Sequence, residues 1–570
     1  MDGLMLAQPG AEVLPAEMPL AMPVQDLAVA PPVLRTPPRT GWWRRALVLG
    51  GAILLTALAT TEMSRVLQLA RWTVTGVVMT SLFAFLFVWI ALAFTNALAG
   101  FGSMLAGGRG TLAVPPLPAR LASRTALLLP VYNEAVEPLL AALTAMRQPL
   151  AQSGDPADFD LYILSDSTDP ARRAAELGAF RGLMAERGVR LFYRHRRENH
   201  ARKAGNIAEW VGRFGAGYQQ FLILDADSLM EGETLRRLVA AMEANPDLGL
   251  LQSLPTLHGG QTLFARLQQF AGVVYGPVIA QGLAWWNGSE NNYWGHNAVI
   301  RTQAFAAAAG LPDLPGRKPF GGHIMSHDFV EAALLRRAGW GVQLAALLPG
   351  SYEQGPPTLP DLAVRDRRWC QGNIQHAAVI GAAGLHPLSR LHMLNGIVAY
   401  ACAPLWLLFM LLGLAVSLQT HFLRPEYFPA GYTLFPQWPI FDAERAVWLF
   451  SATILVLLTP KLLGGLAFVA SAGAGGLLER VRLLASVVFE ILCAALLSPI
   501  TMLTQSFQCA SVLRGRDGGW AAQRRTGAAI TLADAFGLYR RQVVLGVVLA
   551  VLAFSIAPRL VLWMLPVIAG

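Results

Sequence analysis

Two aspartates separated by one residue, Asp225 and Asp227, follow directly on the apolar run 221–224. A pair of carboxylates at that spacing can reach a divalent cation that also binds diphosphate oxygens, the way Mg2+ is held by one or two carboxylates plus substrate phosphates. Taken alone, such a pair is more often an acidic turn. Asp166 stands after the run 159–164 and before Pro170. It suits either a cap for the following helix or an acceptor for the base or ribose of a nucleotide. Lys203 opens Lys203-Ala204-Gly205-Asn206 after the basic stretch 194–202, a solvated face on one reading and a contact for donor phosphate on the other. Asp328 precedes the helical pattern 329–337. There it can offset the positive end of that helix, or act as a general base drawing a proton from an acceptor hydroxyl. Arg365, Arg368 and Trp369 join two cations to an aromatic ring just ahead of an apolar segment. That is the pattern of interfacial anchoring, and also of a clamp that stabilises a leaving diphosphate while the indole stacks on a sugar.

The elements that must position these groups read as α/β. Runs 125–130, 159–164 and 221–224 are short and apolar, and helix-like stretches at 137–146 and 170–186 lie among them. Short buried strands alternating with helices predict a parallel sheet with crossovers, whose ligands lie beyond the carboxyl ends of the strands. Asp166 and Asp225 fall where that rule puts functional groups.

This polar block, residues 113–387, is set between apolar segments. The chain has 570 residues, of which only 14% are charged and 54% hydrophobic, against roughly 25% charged in soluble proteins; the composition is that of a polytopic membrane protein. Segments 46–61, 74–99, 393–418, 446–470, 483–512 and 543–570 are the candidate spans. Arg44 and Arg45 before the first, and Arg109, Arg120 and Arg124 after the second, place the N-terminus and the polar block in the cytoplasm by the positive-inside rule, and residues 421–444 outside. The net charge of +9 then reflects arginines at cytoplasmic span ends, not nucleic-acid binding. Segment 483–512 is basic at both ends and has Pro499 in its middle, which reads more simply as a hairpin of two half-spans than as one crossing. The Pro- and Ala-rich residues 1–42 predict a disordered tail; residues 43–100 the first two transmembrane helices; residues 388–570 a second transmembrane region with basic cytosolic loops. Four cysteines, Cys370, Cys402, Cys493 and Cys509, form no C-x-x-C pair, and apart from the neighbours His195 and His200 the histidines lack metal-ligand spacing. Neither a disulfide framework nor a zinc site is expected.

Read in order, Asp166, Lys203-Ala204-Gly205-Asn206, Asp225-Ala226-Asp227, Ser326-His327-Asp328 and Arg365-Asp366-Arg367-Arg368-Trp369 resemble the inverting family 2 glycosyltransferases fused to membrane channels, cellulose synthase among them. The wording at 128–134, 224–228, 326–332 and 365–373 is similar to the branch that makes osmoregulated periplasmic glucans; Arg365 stands where cellulose synthases have Gln. The resemblance implies a polytopic α-helical membrane protein of the bacterial inner membrane carrying an inserted cytosolic α/β domain of the GT-A, Rossmann-like type. It further implies UDP-glucose as donor, a growing glucan with β-1,2 linkages as acceptor, Mg2+ or Mn2+ as cofactor, contact with membrane lipid, and an acyl carrier protein as helper. Carried over to this sequence, Asp328 would be the base. Asp166, Lys203, Asp225, Asp227, Arg365 and Arg368 would bind the donor, Asp225 and Asp227 also holding the metal. Trp369, Tyr293 and Trp294 would contact the acceptor. The family usually continues into a further polar tail; a short C-terminus and an incomplete one are both open. The competing readings are another processive family 2 synthase making a cellulose-like polymer, and a transporter whose polar block only regulates.

Overall fold

In the computed structural model, the described residues are 14–36, 40–67, 73–152, 155–186, 188–422, 442–471, 475–516, 518–519, 531–556 and 558–570. The expectations for most of 421–444, for residues 1–13 and 37–39 of the tail, and for the part of the basic cytosolic loops at 520–530 fall outside them.

Among the described residues, ten strands occur in chain order: β1 (Thr125–Val131), β2 (Phe159–Ser165), β3 (Arg190–His195), β4 (Gln220–Ile223), β5 (Leu229–Met230), β6 (Leu248–Ser253), β7 (Thr256–His258), β8 (Ala298–Arg301), β9 (Gly341–Ala345) and β10 (Ser351–Gln354). Seven form one sheet in the order β3-β2-β1-β4-β8-β6-β9, and β5-β10-β7 form a small second one. The central strands are apolar and buried on both faces, as Leu127, Leu128, Ile163, Tyr162, Leu222 and Ile223 show, because helices cover both sides. Helices Val136–Gln152, Pro170–Ala185 and Gly232–Ala244 pack on one face, and Arg202–Phe214, Thr302–Ala308 and His327–Arg337 on the other.

The sheet is mixed where the sequence suggests all-parallel. β8 runs antiparallel to both β4 and β6, with Ile223 opposite Ala298. The reversal has a positional consequence. The residues that lead into β8 arrive at the carboxyl end of β4, so the loop 293–297 meets the Asp225 turn; the Asn297 amide donates to the Ile223 carbonyl at 2.7 Å.

Among the described residues, six helices are long and apolar enough to cross a membrane: Trp42–Leu67, Val74–Leu105, Pro387–Gln419, Glu444–Ala470, Leu477–Leu513 and Leu532–Ile556. The hairpin expected over 483–512 is instead one continuous 37-residue helix with Pro499 inside it. At 1.5 Å per residue it is about 55 Å long, against a hydrocarbon core of about 30 Å. Both basic ends therefore project past the apolar layer. Pro499 is tolerated because it is buried among apolar side chains of neighbouring spans, Leu407, Met410 and Leu545 lining the same small cavity, and membrane helices accept proline in such settings.

The tail also departs from expectation. Residues 14–36 lie extended along the α/β domain: the Met18 amide donates to the Arg213 carbonyl, Gln25 to Gly310 and Leu34 to Ala338, at 2.9, 2.9 and 2.7 Å. Prolines exclude helix here, but Leu14, Leu20 and Met22 still bury apolar surface beside Trp210 and Phe214, which composition averaged over the tail conceals.

The domain is fastened to its spans by a further helix, Leu263–Asn287, which crosses Val74–Leu105 closely. A Cβ at Gly100 would lie 1.9 Å from the Val278 carbonyl oxygen, and one at Gly282 2.2 Å from that of Asn96. Arg44 donates to the carbonyls of Gly110 and Trp285 at 2.6 and 3.1 Å, and Arg45 pairs with buried Glu290. The start of the first span, the end of the second and the α/β domain thus share one side.

Candidate active site

The carboxyl ends of β1, β2, β3 and β4 point to one edge of the sheet, and the residues just beyond them are Glu134, Asp166, Arg196 and Asp225. After β4 the chain turns at once. The Asp225 amide donates to Ser228 Oγ at 2.9 Å and the Ser228 amide returns a bond to the Asp225 carbonyl at 2.9 Å, which presents the Asp225 and Asp227 carboxylates beyond the strand. Lys203, in the first turn of helix Arg202–Phe214, bonds Asp225 Oδ1 and donates to the Gly295 carbonyl at 2.8 Å. Gly295 has φ +92, and a Cβ there would lie 3.4 Å from Asp328 Oδ2. Lys203 and Gly295 thus bridge the two-aspartate turn to Asp328.

Asp328 occupies the first turn of helix His327–Arg337. Desolvation raises its pKa above the ordinary carboxylate value and Glu331 adds to this, against the opposing charges of His327 and Lys203. His327 Nδ1 lies 3.0 Å from Glu331 Oε1. Tyr293 is fully buried in the core beneath this loop, with no partner for its hydroxyl among the described residues. Burial, then Glu331, Asp328 and Asp225, raise its pKa well above the usual phenol value. The sequence reading put Tyr293 against an acceptor; a ring with no accessible surface supports the loop instead. Trp294 is half-buried, its amide donating to Gln252 Oε1 at 2.8 Å and its ring near Ala280, Ala284 and Leu344.

Asp166 is not an open acceptor in this arrangement. Arg196 grips both its oxygens, Nε to Oδ1 at 2.8 Å and Nη2 to Oδ2 at 2.7 Å, and both residues are buried. Burial raises the Asp166 pKa, and Arg196 and Arg194 pull against it. Arg196 also donates to the carbonyls of His200 and Arg202 at 2.9 and 3.0 Å, so this pair holds the loop that delivers Lys203.

Arg365, Arg368 and Trp369 lie on helix Leu359–Gln375. Desolvation lowers the pKa of both arginines. Arg365 feels the charges of Glu353 and Asp227; Arg368 feels Arg365 and Arg202 as repulsive neighbours, Glu134 and Asp225 as attractive ones. Arg365 and Arg368 thus face the two-aspartate turn, and Arg202 is a further cation near Arg368. The Arg365 guanidinium lies 4.4 Å from the Trp369 ring centre, and the indole is 48% exposed, an open flat face beside the cations. His296 Nε2 is 3.1 Å from Glu353 Oε2. Desolvation alone would depress its pKa, but the charge of Asp225 and the bond and charge of Glu353 win and raise it to about 9. Between these site residues, Asp366 turns to the membrane helices, accepting from Tyr400 Oη and Gln505 Nε2 at 2.9 Å each. Arg367 donates to Ser511 Oγ at 3.3 Å, and the Cys370 and Cys509 sulfurs are buried 3.7 Å apart.

The structure therefore brings Lys203, Asp225, Asp227, Asp328, Arg365 and Arg368 to one edge, with Trp369 beside them. Glu134, Arg196, Arg202, Glu331 and Glu353 join the site without a role assigned to them from the sequence. The position of Glu134 after β1 was the one available signal.

The chain matches the description "Glycosyl transferase family 2" over residues 127–307 and "Glycosyl transferase family group 2" over 220–468. It is 52% identical to a glucans biosynthesis glucosyltransferase H of Rhodopseudomonas palustris (strain BisA53) over 98% of this chain and 79% of that protein. The chain belongs to the glucans biosynthesis glucosyltransferase H family. Other members of the family are equally extensive matches: that of Bradyrhizobium diazoefficiens is 48% identical over 100% of this chain and 78% of its own length, and that of Xylella fastidiosa 48% over 98% and 89%. A solved mannosyltransferase of Pyrobaculum calidifontis, in complex with GDP-Man and Mn2+, aligns with 72% of this chain and 98% of its own at 16% identity and a TM-score of 0.40. The family assignment makes the chain a family 2 glucosyltransferase of glucan biosynthesis, with its catalytic α/β domain of GT-A type joined to membrane-spanning helices.

Proposed function

We propose that this glucosyltransferase is inverting, takes glucose from UDP-glucose, and builds the β-1,2-linked backbone of osmoregulated periplasmic glucans. The α/β domain faces the cytoplasm of the bacterial inner membrane, and synthesis is coupled to passage of the glucan across it. The observation that carries the reading is the short bridge from the Asp225 turn to Asp328, Lys203 bonding Asp225 and the Gly295 carbonyl while Gly295 abuts Asp328: a base and a diphosphate site that close can serve the two sides of one anomeric carbon.

Asp328 takes the proton of an acceptor hydroxyl as that oxygen attacks the donor sugar from the face opposite the nucleotide, which turns an α-linked donor into a β-linked product. Its desolvation favours this role, since a carboxylate of raised pKa is the stronger base. Arg202, Arg365 and Arg368 receive the negative charge that grows on the departing diphosphate, in place before the reaction starts. Trp369 supports the acceptor end, and its exposed indole suits stacking on a sugar. Asp166, oriented by Arg196, lies at the end of β2 where the nucleoside would sit, and Tyr293 and Trp294 hold the loop that separates base from diphosphate.

Asp225 and Asp227 fit a hard divalent cation. Their donors are carboxylate oxygens only, the kind such a cation takes, and the Asp225–Ser228 turn holds them beyond the end of β4. When bound, Mg2+ or Mn2+ would supply Lewis-acid neutralisation of the diphosphate. Lys203, bonded to Asp225, would share a diphosphate bound there.

The test is polymer formation from radiolabelled UDP-glucose and Mg2+ by the purified protein in nanodiscs, with and without an acyl carrier protein, followed by linkage analysis. A β-1,2 product from the wild type and none from Asp328→Asn is expected. A β-1,4 product would replace this reading with a cellulose-like synthase, and equal polymer from both proteins would remove Asp328 from the base role.

A further inference from the structure

Residues 309–326 form a short hairpin ahead of Asp328. Leu314 and Gly322 pair across it, the Leu314 amide donating to the Gly322 carbonyl at 3.0 Å and the reverse bond at 2.8 Å. That pairing brings the next residues out, Asp313 and His323, side by side, with His323 Nδ1 2.5 Å from Asp313 Oδ1. His200, from the loop between β3 and helix Arg202–Phe214, meets the His323 ring edge to face with centroids 4.5 Å apart. One ligand atom from each of the three lies within 4.8 Å of the others, and all three side chains are exposed.

We propose that His200, Asp313 and His323 form a surface site for a transition-metal cation of the Zn2+ class, with water completing a tetrahedron. The donor set is the first argument: two imidazoles and one carboxylate suit zinc, while Mg2+ prefers the all-oxygen set at Asp225 and Asp227. Geometry is the second. Metal–ligand distances of about 2.0–2.1 Å require donor atoms about 3.3 Å apart, reached from the present positions by small rotations of exposed side chains. The backbone beneath is already held: Arg196 donates to the His200 carbonyl at 2.9 Å, and Gln375 Nε2 to the His323 carbonyl at 3.0 Å.

The third argument is what the site would join. Arg196 grips Asp166 and the loop leading to Lys203, the hairpin runs into Asp328, and Gln375 ends the helix that carries Arg365 and Arg368. A cation at this point ties the His200 loop to the segment ahead of Asp328, with helix Leu359–Gln375 held to the latter through Gln375, so it stabilises the folded domain and restrains their relative motion. The site does not depend on which sugar is transferred.

The test uses tag-free, full-length protein in detergent with excess Mg2+ and Zn2+ as the added ligand. Zinc stoichiometry is measured against a chromophoric chelator, and thermal unfolding is followed in parallel. One tight equivalent and a rise in unfolding temperature are expected, since a ligand of the native state alone stabilises it. Both should be lost in His200→Ala and in His323→Ala and kept in Asp225→Asn. No tight equivalent in the wild type, an equivalent that survives both histidine substitutions, or one that disappears only in Asp225→Asn would each overturn the proposal.

Discussion

Replacing Asp328 by Asn separates catalysis from stability in opposite directions. The amide has nearly the size of the carboxylate and keeps its place in the first turn of helix His327–Arg337, so the surrounding loop should stand. What disappears is the base. Positioned proton transfer contributes a factor of about 10² to 10⁴, or about 3–5 kcal/mol of barrier, and kcat should fall by that factor while KM for the donor changes little. Stability should not fall. The folded-state pKa of Asp328 is raised, chiefly by desolvation, so the native protein binds this proton more tightly than the unfolded chain. The ionised carboxylate therefore disfavours folding; that cost is absent below the unfolded pKa of about 4, grows as the pH rises to the folded value, and is fully present above it. At neutral pH the Asn variant escapes it, and its unfolding temperature should equal or exceed that of the wild type. The same raised pKa sets the acid limb of the wild-type rate profile, activity being lost as the pH falls through it. Initial rates of polymer formation and thermal unfolding on the same preparation check both arms. A variant within tenfold of wild-type kcat, or one whose loss of rate accompanies a clear drop in unfolding temperature, would refute the argument.

Three further perturbations bear on the rest of the site. Arg368→Ala should weaken inhibition by UDP by about tenfold to a hundredfold, the worth of a charge-assisted hydrogen bond, measured as the change in inhibition constant. Asp366→Ala strands the Tyr400 hydroxyl and the Gln505 amide at the membrane face, and should cost about 2–3 kcal/mol, seen as a lower unfolding temperature in detergent. Gly100→Ala forces a methyl group to within 1.9 Å of the Val278 carbonyl oxygen; the helices must part, and a loss of about 1–3 kcal/mol or more should appear as reduced yield of folded protein, while Gly102→Ala, with nothing within 4 Å, should be neutral.

Much of the site was legible because the chemistry sits at strand ends. β1, β2 and β4 announce themselves as apolar runs, and Asp166 and Asp225 follow two of them directly. The direction of β8 was not legible: four residues, Ala298–Arg301, carry no pattern that distinguishes parallel from antiparallel, and only pairing with β4 and β6 decides it. Arg196 and Arg202 were hidden in a basic stretch that reads equally well as a solvated face. His200 and His323 stand more than a hundred residues apart, so ligand spacing along the chain is blind to them; the Leu314–Gly322 pairing makes them neighbours. Pro499 misled because a proline breaks a helix in water more readily than among packed spans.

Helix Leu359–Gln375 alternates its allegiance residue by residue. Arg365, Arg368 and Trp369 belong to the acidic cluster, while Asp366, Arg367 and Cys370 are fastened to Tyr400, Ser511 and Cys509. No cut through the chain separates a transferase from its membrane part without dividing that helix's two loyalties. Chimeras that graft one family member's α/β domain onto another's spans should fail unless the partners at 400 and 505–511 travel with it. In evolutionary drift, substitutions at 363–370 should be inherited together with compensating changes in the spans, so that the halves diversify as one unit.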